Sequence, residues 1–415
     1  MKKTTLIITS MCISTSAFAG GYRVALQGQK ALGMGHTGVA MTDSAEVVFF
    51  NPAGMSFLEA DTDIIAGVTL IDSEAKYQNV STNTSAKTDN PIGTPVGLYY
   101  AKKYDEKISY GLGLYTPYGN VVEWPKDWAG SHLVNDIELK AIYIQPTISY
   151  KFNNTYSVGF GLTYTSGKVE FNRNLSTSLV DENGDRSNVT IKASGVDAWS
   201  YNIGFLAKPT EELSLGVSYR SKVDLKARNE DANFENIPTT LQSTFPDTTF
   251  NADLVLPAEL TLGTAYDVND KTVLTFDLNR TFWGDYKNLD VQFNNGAGTS
   301  FNPRNYKDSN IYRFGVQHVM NSDLVIRGGI YFDKTPIRSG YFTPETPRND
   351  ATGFTAGATY TVSKNMDLDF SLLYLIFDEF NGSYDFYDQS GTTISFGGDY
   401  KTTVTTLGFG LNYKF

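Results

Sequence analysis

The sequence predicts an all-β fold: a closed transmembrane barrel of fourteen antiparallel strands that follows a short N-terminal segment. Three observations predict it. Apolar and polar residues alternate with a period of two along most of the chain, and the connections between these stretches are short and long in turn. Outside the first nineteen residues, no apolar run is long enough for a membrane-spanning helix.

Residues 1–19 have the features of a secretory signal peptide. Two lysines precede an apolar stretch, and Ala17-Phe18-Ala19 forms a small-x-small cleavage site. The only cysteine, Cys12, lies inside this segment, so we expect no disulfide and no thiolate metal site in the mature protein. The net charge of −11 and the absence of a basic stripe argue against a nucleic-acid partner.

Residues 20–58 form a compact, glycine-rich segment ahead of the predicted barrel, residues 59–415. Asn51-Pro52 predicts a turn near the end of this segment, because proline fixes its own φ and keeps the preceding residue out of the helical region. The stretch from Gly33 to Gly38 formally matches the dinucleotide-binding fingerprint. Since no strand–helix–strand unit surrounds it, we expect no cofactor.

The clearest predicted strand covers residues 157–165, where Val158, Phe160 and Leu162 alternate with small and polar residues. The same alternation recurs over residues 142–150, 213–219, 254–262, 274–278, 312–316, 324–332 and 366–372. A soluble sandwich would also alternate, but its core would normally divide between domains in a chain of this length.

The connections favour a barrel of the bacterial outer membrane, which has short periplasmic turns and long extracellular loops. Short turns are predicted at residues 103–106, 153–154, 209–211, 269–270, 321–322 and 364–365. Long polar connections lie near residues 78–91, 119–136, 173–195, 228–251, 284–310, 334–351 and 380–400. Six turns and seven loops join fourteen strands, and both ends of the chain then lie on the side of the short turns.

The last strand alternates up to a terminal aromatic residue, Phe415. It could be an edge strand that merely ends on phenylalanine. We favour a signal that the barrel assembly machinery reads during insertion, because this agrees with the signal peptide and the strand count.

Several short motifs, in this order and spacing, resemble the FadL/TodX family of outer-membrane transporters for long-chain fatty acids and other hydrophobic compounds. The resemblance covers essentially the whole chain. The motifs are Gly20-Gly21-Tyr22, Ala31-Leu32-Gly33, Asp43, Asn51-Pro52-Ala53, Tyr110-Gly111-Leu112-Gly113, Tyr118-Gly119, Leu256-Pro257-Ala258, Thr281-Phe282-Trp283, Tyr306-Lys307-Asp308, Arg327-Gly328-Gly329, Thr335-Pro336, Thr346-Pro347 and Thr352-Gly353.

The resemblance implies that residues 20–58 are a hatch that plugs the barrel. It also implies that an apolar ligand enters a pocket in the barrel and leaves sideways through a gap at a kinked third strand, here residues 107–119, next to Asn51-Pro52-Ala53. The residues of this strand suit a kink: Gly111, Gly113 and Gly119 weaken it, and Pro117 has no N–H to donate. The alternative is that Pro117 lies beyond the wall, in the extracellular loop.

The family captures its ligand between two long loops, which correspond here to residues 173–195 and 228–251. Apolar residues in an exposed loop are typical of a binding surface. In the second loop these candidates are Phe234, Ile237, Leu241, Phe245 and Phe250. They could equally pack into a local core of the loop, and both roles are compatible.

The fatty-acid members of the family place basic side chains in the pocket. The corresponding positions here fall near Phe171 and Asp290, which are not basic. The nearest cations, Lys168, Arg173 and Lys287, are therefore the candidates for a pocket base. This departure leaves aromatic hydrocarbons and other apolar molecules open as substrates, beside fatty acids.

We expect a transporter rather than an enzyme, because no serine–histidine pair stands at a telling spacing among three histidines. A general porin, or an adhesin that uses the long loops, is the alternative. The expected partners are a hydrophobic small molecule, outer-membrane lipid and lipopolysaccharide, and the barrel assembly machinery.

Overall fold

The computed structural model of the chain describes residues 21–296, 298–389 and 391–415. The predicted signal peptide, residues 1–19, lies outside the described residues. Helix α1 is Gln29–Gly33, helix α2 is Val47–Phe50, and two 3₁₀ helices are Pro52–Phe57 and Trp283–Asp285. None of the helices in the described part of the chain has the length and apolar character needed to cross a membrane.

Twenty β-strands make up most of the other described residues. They are β1 (Thr62–Asn79), β2 (Thr84–Lys87), β3 (Val96–Lys103), β4 (Ile108–Glu123), β5 (Asp136–Lys151), β6 (Tyr156–Asn174), β7 (Asn188–Ala207), β8 (Leu213–Arg220), β9 (Val223–Glu235), β10 (Thr248–Leu256), β11 (Glu259–Asn269), β12 (Thr272–Thr281), β13 (Val291–Phe293), β14 (Thr299–Ser300), β15 (Ser309–Asn321), β16 (Leu324–Asp333), β17 (Ala351–Ser363), β18 (Met366–Phe377), β19 (Phe380–Gln389) and β20 (Thr392–Lys414).

These strands build a closed antiparallel barrel with fourteen positions in its wall, as predicted. Four positions are each formed by two strands in succession: β2 with β3, β8 with β9, β10 with β11, and β18 with β19. The short strands β13 and β14 belong to a loop outside the wall. Strand β20 closes the barrel against β1, from Asp63↔Lys414 to Gln78↔Asp399, so the wall has no free edge there.

The period of two places apolar side chains on the outside and polar ones in the lumen. On β20, Leu407, Phe409 and Leu411 are exposed, whereas Thr406 and Asn412 are buried. The outward apolar side chains meet lipid in an outer-membrane barrel, and the inward side chains meet a polar interior.

Residues 21–58 lie inside the lumen, and most of them are buried. Helix α1 packs against β17 and β18, and the 3₁₀ helix Pro52–Phe57 packs against β5, β6 and β7.

Candidate functional site

An apolar cavity of about 110 Å³ lies in the extracellular half of the barrel. Its wall comes from inward-facing residues of β5, β6, β7, β9 and β10, such as Leu139, Ile191 and Leu225. Valine, isoleucine, leucine, alanine and phenylalanine dominate this surface. Each CH₂ group of a ligand that leaves water for such a surface gains about 0.8 kcal/mol.

One end of the cavity is polar and carries a buried ion pair. Arg304 Nη2 lies 2.7 Å from Glu345 Oε1, and both side chains are under 5% exposed. Tyr22, in the N-terminal segment, donates its hydroxyl to the same carboxylate oxygen at 2.9 Å. Two charges can share this buried site only because each is paired and hydrogen bonded.

The three basic candidates for the pocket have different surroundings. Arg173 lines the cavity and donates to Ser300 Oγ at 3.1 Å and to the His132 carbonyl at 3.3 Å. Lys168 also borders the cavity, but its ammonium is exposed and pairs with Glu138 at 2.9 Å.

Lys287 is exposed and is not part of the cavity lining. Of the three candidates, Arg173 and Lys168 therefore border the cavity, and Lys168 has a carboxylate partner.

The apolar residues of the loop over 228–251 divide between the cavity and a local core. Phe250 is 1% exposed and lines the cavity. Phe234 packs against Phe245 and Phe293, with ring centroids 5.6 and 5.5 Å apart. In the same loop, Ile237 is buried and Leu241 is half-buried at a turn. Some of these residues therefore line the cavity, and others pack into a local core of the loop.

Several residues of the cavity gave no recognisable signal in the sequence. Val291 and Phe293 of β13, together with Ser300 and Asn302, line the cavity from the loop over 284–310. That loop is rich in polar residues, so its few apolar side chains gave no periodic pattern. Their pairing with β10 brings them inward, as in Phe250↔Phe293.

The third strand of the wall, β4, is irregular at the predicted position. Its pairing with β3 ends at Leu98↔Leu114, although β4 continues to Glu123. Its register with β5 shifts between Tyr115 and Tyr118, which marks a bulge around Pro117. Pro117 therefore lies within the strand and not in the extracellular loop.

The N-terminal segment forms hydrogen bonds with main-chain groups of β4 that are not paired with β3. Val24 N donates to the Pro117 carbonyl at 2.9 Å, and Gly119 N donates to the Tyr22 carbonyl at 3.0 Å. Gln27 Nε2 adds a bond to the Thr116 carbonyl at 2.9 Å. The wall is thus open between β3 and residues 115–122 of β4, and the N-terminal segment covers this gap. Beyond the gap, Glu123 is hydrogen bonded to Asp89 and Asn90.

The turn Asn51-Pro52-Ala53 packs against β6 and β7, whereas the resemblance led us to expect it beside the gap. Asn51 Nδ2 donates to the Val39 carbonyl at 2.8 Å and to the Phe205 carbonyl at 3.0 Å. A Cβ at Gly204 would lie 2.0 Å from Asn51 Oδ1, and one at Gly159 would lie 2.4 Å from the Pro52 carbonyl carbon. The two glycines give the turn room to reach the wall.

The glycines of β4 allow a different part of the N-terminal segment to approach the wall closely. A Cβ at Gly111 would lie 2.7 Å from Met55 Sδ and 2.9 Å from Val48 Cγ2. A Cβ at Gly113 would lie 3.2 Å from Val48 Cγ1. Helix α2 and Met55, rather than the Asn-Pro-Ala turn, therefore lie against β4.

Buried ionisable side chains connect the N-terminal segment to the barrel and to its own helix α1. Arg23 Nη2 lies 2.9 Å from Glu259 Oε2. The Glu46 carboxylate accepts the backbone N–H groups of Lys30 and Ala31, each at 3.1 Å, and so caps the start of α1. Burial, with Asp369 nearby, raises the pKa of Glu46 to about 7, although Lys30 opposes this shift.

In residues 21–296, 298–389 and 391–415, no group of three or more His, Cys, Asp or Glu side chains is placed to hold a metal ion. The chemistry of the described site is that of an apolar cavity with one polar end and a covered gap in the wall.

Comparison with known proteins gives a consistent result. Residues 10–415 match the sequence model of a family described as outer membrane protein transport protein (OMPP1/FadL/TodX). Outer membrane protein P1 of Haemophilus influenzae is 22% identical and covers 99% of this chain and 98% of its own length. The long-chain fatty acid transport protein of Escherichia coli K12 is 23% identical and covers 90% of this chain and 91% of its own length.

Solved structures show the same fold. A FadL homologue of Pseudomonas aeruginosa superposes with a TM-score of 0.83 at 18% identity, over 95% of this chain and 100% of its own. The toluene transporter TodX of Pseudomonas putida gives a TM-score of 0.71 at 18% identity, over 93% and 97% of the two chains.

Proposed function

Because this chain belongs to the OMPP1/FadL/TodX family, outer membrane proteins that transport hydrophobic compounds, we propose that its apolar cavity and the gap beside β4 form one transport route. A hydrophobic molecule binds in the cavity and then leaves sideways into the membrane. Residues 20–58 act as the hatch that blocks direct passage to the periplasm.

The observation that carries this proposal is the interrupted pairing of β3 and β4. The two strands separate beyond Leu98↔Leu114, where residues 22–24 and Gln27 of the hatch bond to β4, while Glu123 at its end bonds to Asp89 and Asn90. Non-covalent contacts of a short segment can open locally, whereas a continuous wall cannot.

A lateral route also agrees with the energetics of an apolar ligand. Transfer from the cavity to water costs about 0.8 kcal/mol for each CH₂ group, whereas transfer to acyl chains avoids most of that cost. The ligand then moves down its gradient without an energy source.

We propose a long-chain fatty acid or a similar amphiphile as the substrate, with Arg173 as the group that meets its carboxylate. Among the described residues no carboxylate pairs with Arg173, in contrast to Arg304. Aromatic hydrocarbons, such as the toluene in the name of the TodX neighbour, are the second candidate, because the rest of the cavity is apolar.

Arg173→Gln tests this assignment. The half-saturation concentration for fatty-acid uptake should rise about tenfold or more, because a hydrogen bond to a charged group is worth about 1.5–3 kcal/mol. Uptake of toluene should not change. Lys287→Gln is the matched control, since Lys287 is exposed and outside the cavity. Equal loss of both substrates, or no loss of either, would refute a role of Arg173 in recognising the carboxylate.

The proposal also includes two kinds of partner that contact the barrel away from the transport route. The exposed apolar belt faces outer-membrane lipid and, in the outer leaflet, lipopolysaccharide. The barrel assembly machinery reads the last strand, which ends in Phe415. A general porin finds less support, since the N-terminal segment fills the lumen, while an adhesin role of the long loops is a separate alternative.

A further inference from the structure

The outer face of the wall carries a row of three lysines on three neighbouring strands. Lys76 of β1 is paired in register with Lys87 of β2 and with Lys401 of β20. All three side chains are more than half exposed. They point outward, because the adjacent residues Tyr77 and Tyr400 are buried in the lumen and side chains alternate along a strand. The row therefore faces the surroundings of the barrel and not the cavity.

The row lies directly above the apolar belt, at the ends of β1 and β20 that lead into long, extracellular connections. On the neighbouring strand β18, Tyr374 and Ile376 are exposed on the outer face. Ile376 pairs with Thr403, which is two residues, or about 7 Å, from Lys401 along β20. Tyrosines are typical of the boundary between lipid and water. The lysines are therefore at the level of the lipid head groups of the outer leaflet.

The three lysines border a concave surface of about 450 Å³, together with Gln78, Ser85, Glu379 and Asp399. This lining combines ammonium donors with amide, hydroxyl and carboxylate groups. Ammonium groups bind phosphate oxygens, whereas carboxylates accept hydrogen bonds from hydroxyl groups. A phosphorylated sugar uses both kinds of group, and a phosphate alone would use only the lysines.

The neighbouring carboxylates do not account for a row of three like charges. Glu74 is shared, since its Oε1 lies 2.9 Å from Lys76 Nζ and its Oε2 lies 3.5 Å from Lys87 Nζ. Glu379 Oε2 lies 3.5 Å from Lys401 Nζ. Exposed ion pairs contribute little to stability, and like charges opposite each other on neighbouring strands destabilise a sheet. A bound phosphate would offset this repulsion.

We propose that this concave surface binds the phosphorylated sugar head group of a lipopolysaccharide molecule in the outer leaflet. The three lysines meet the phosphates, while Glu379 and Asp399 accept sugar hydroxyl groups. The inference assigns a definite site to the contact with lipopolysaccharide proposed above, and it does not depend on the lateral route.

The triple variant Lys76→Gln, Lys87→Gln and Lys401→Gln tests the site. Native mass spectrometry of the full mature protein in detergent, with bisphosphorylated lipid A as the probe, measures binding. The apparent dissociation constant should rise about tenfold or more, because the variant removes the charged donors to the phosphates. Removing both phosphates from the lipid A should weaken binding to the unchanged protein by a similar factor. It should weaken binding to the triple variant little further.

The matched control removes three other exposed lysines, Lys192, Lys222 and Lys226, each by substitution with glutamine. Lys192 and Lys222 pair with carboxylates at 2.7 and 3.3 Å, and Lys226 is in register with Asp253. None of the three borders the concave surface. The control should bind lipid A like the unchanged protein. Equal loss in both triple variants, or no loss in the first, would refute the site. Displacement of lipid A by an equal concentration of phosphatidylglycerol would refute its assignment to a sugar head group.

Thermal unfolding without added lipid separates binding from a purely structural role of the lysines. The first triple variant should unfold at the same or a higher temperature than the unchanged protein, because repulsion within the row is removed. A lower unfolding temperature would show that the lysines stabilise the wall, and would contradict the proposal. Neither measurement involves uptake, so a negative result here does not bear on the lateral route.

Discussion

Replacing Asn51 by alanine should loosen the hatch without preventing formation of the barrel. The side chain makes three hydrogen bonds: Nδ2 to the carbonyls of Val39 and Phe205, and Oδ1 from the Ala53 N–H at 3.2 Å. At about 1 kcal/mol each, their loss should cost about 3 kcal/mol.

This cost applies to the local opening of the hatch, because two of the three bonds lie within the hatch, the third joins it to β7, and none belongs to the wall ladder. The equilibrium constant for opening should therefore increase roughly 100-fold.

Hydrogen exchange of the purified protein in detergent is the assay. Peptides from residues 29–58 should exchange faster in Asn51→Ala, while peptides from the wall and the heat-modifiable gel mobility should not change. Asn154→Ala is the control, because Asn154 is exposed in the turn between β5 and β6. Unchanged exchange in the hatch, or faster exchange throughout the wall, would refute the reasoning.

Two further predictions concern the hatch and assembly. The pKa of Glu46 is about 7 in the folded protein against an ordinary 4.5, so docking of the hatch is most stable below pH 4.5 and loses stability as the pH rises through 7. Glu46→Gln should remove this dependence and stabilise the hatch by about 3 kcal/mol at pH 8, as measured by hydrogen exchange; an equal pH dependence in the variant would contradict it. Deleting Phe415 should lower the amount of barrel in the outer membrane. Its N–H and carbonyl pair with Thr62 where β20 closes the barrel against β1, and its ring belongs to the proposed assembly signal. Unchanged surface abundance would show that the residue is dispensable.

The barrel was predictable because each strand carries its own pattern. A strand buried on one side must alternate, and a membrane forces the apolar side outward, so periodicity and loop lengths together determine the strand count. The bulge in β4 was also predictable, since Pro117 cannot complete the ladder.

The contacts inside the lumen were not predictable, because they join residues far apart in sequence. The position of Asn51-Pro52-Ala53 depends on the glycines at 159 and 204, which look like ordinary strand residues. The inward path of residues 334–350 likewise has no periodic pattern, and its polar residues resemble those of an exposed loop. Only the folded structure shows that Glu345 is buried against Arg304.

The direction in which the Lys168 side chain points depends on which residues of β6 face the lumen. The sequence alone did not determine this. Lys168 pairs with Lys140 in the register of β5 and β6, whereas the neighbouring pair, Val169↔Leu139, faces the cavity. Arg173 and Phe171 share the parity of Val169 and also line the cavity. A shift of one residue exchanges lumen and exterior, so a candidate chosen by proximity in sequence can face either way.

A reversible disulfide between the hatch and β4 tests the lateral route most directly. A Cβ at position 119 would lie 3.7 Å from Val24 Cγ2, so Val24→Cys with Gly119→Cys should form a bond. Residues 20–415 contain no cysteine, so the introduced pair would have no competing thiol. The control pair is Ser56→Cys with Ser149→Cys, whose hydroxyl oxygens are 2.7 Å apart, against β5 and away from the gap.

Uptake of a labelled long-chain fatty acid should be measured in both double-cysteine variants, oxidised and then reduced. We predict that the oxidised pair at 24 and 119 transports almost nothing and recovers with reductant, while the pair at 56 and 149 transports equally in both states. Equal uptake by the oxidised and reduced forms of the first pair would contradict lateral exit beside β4.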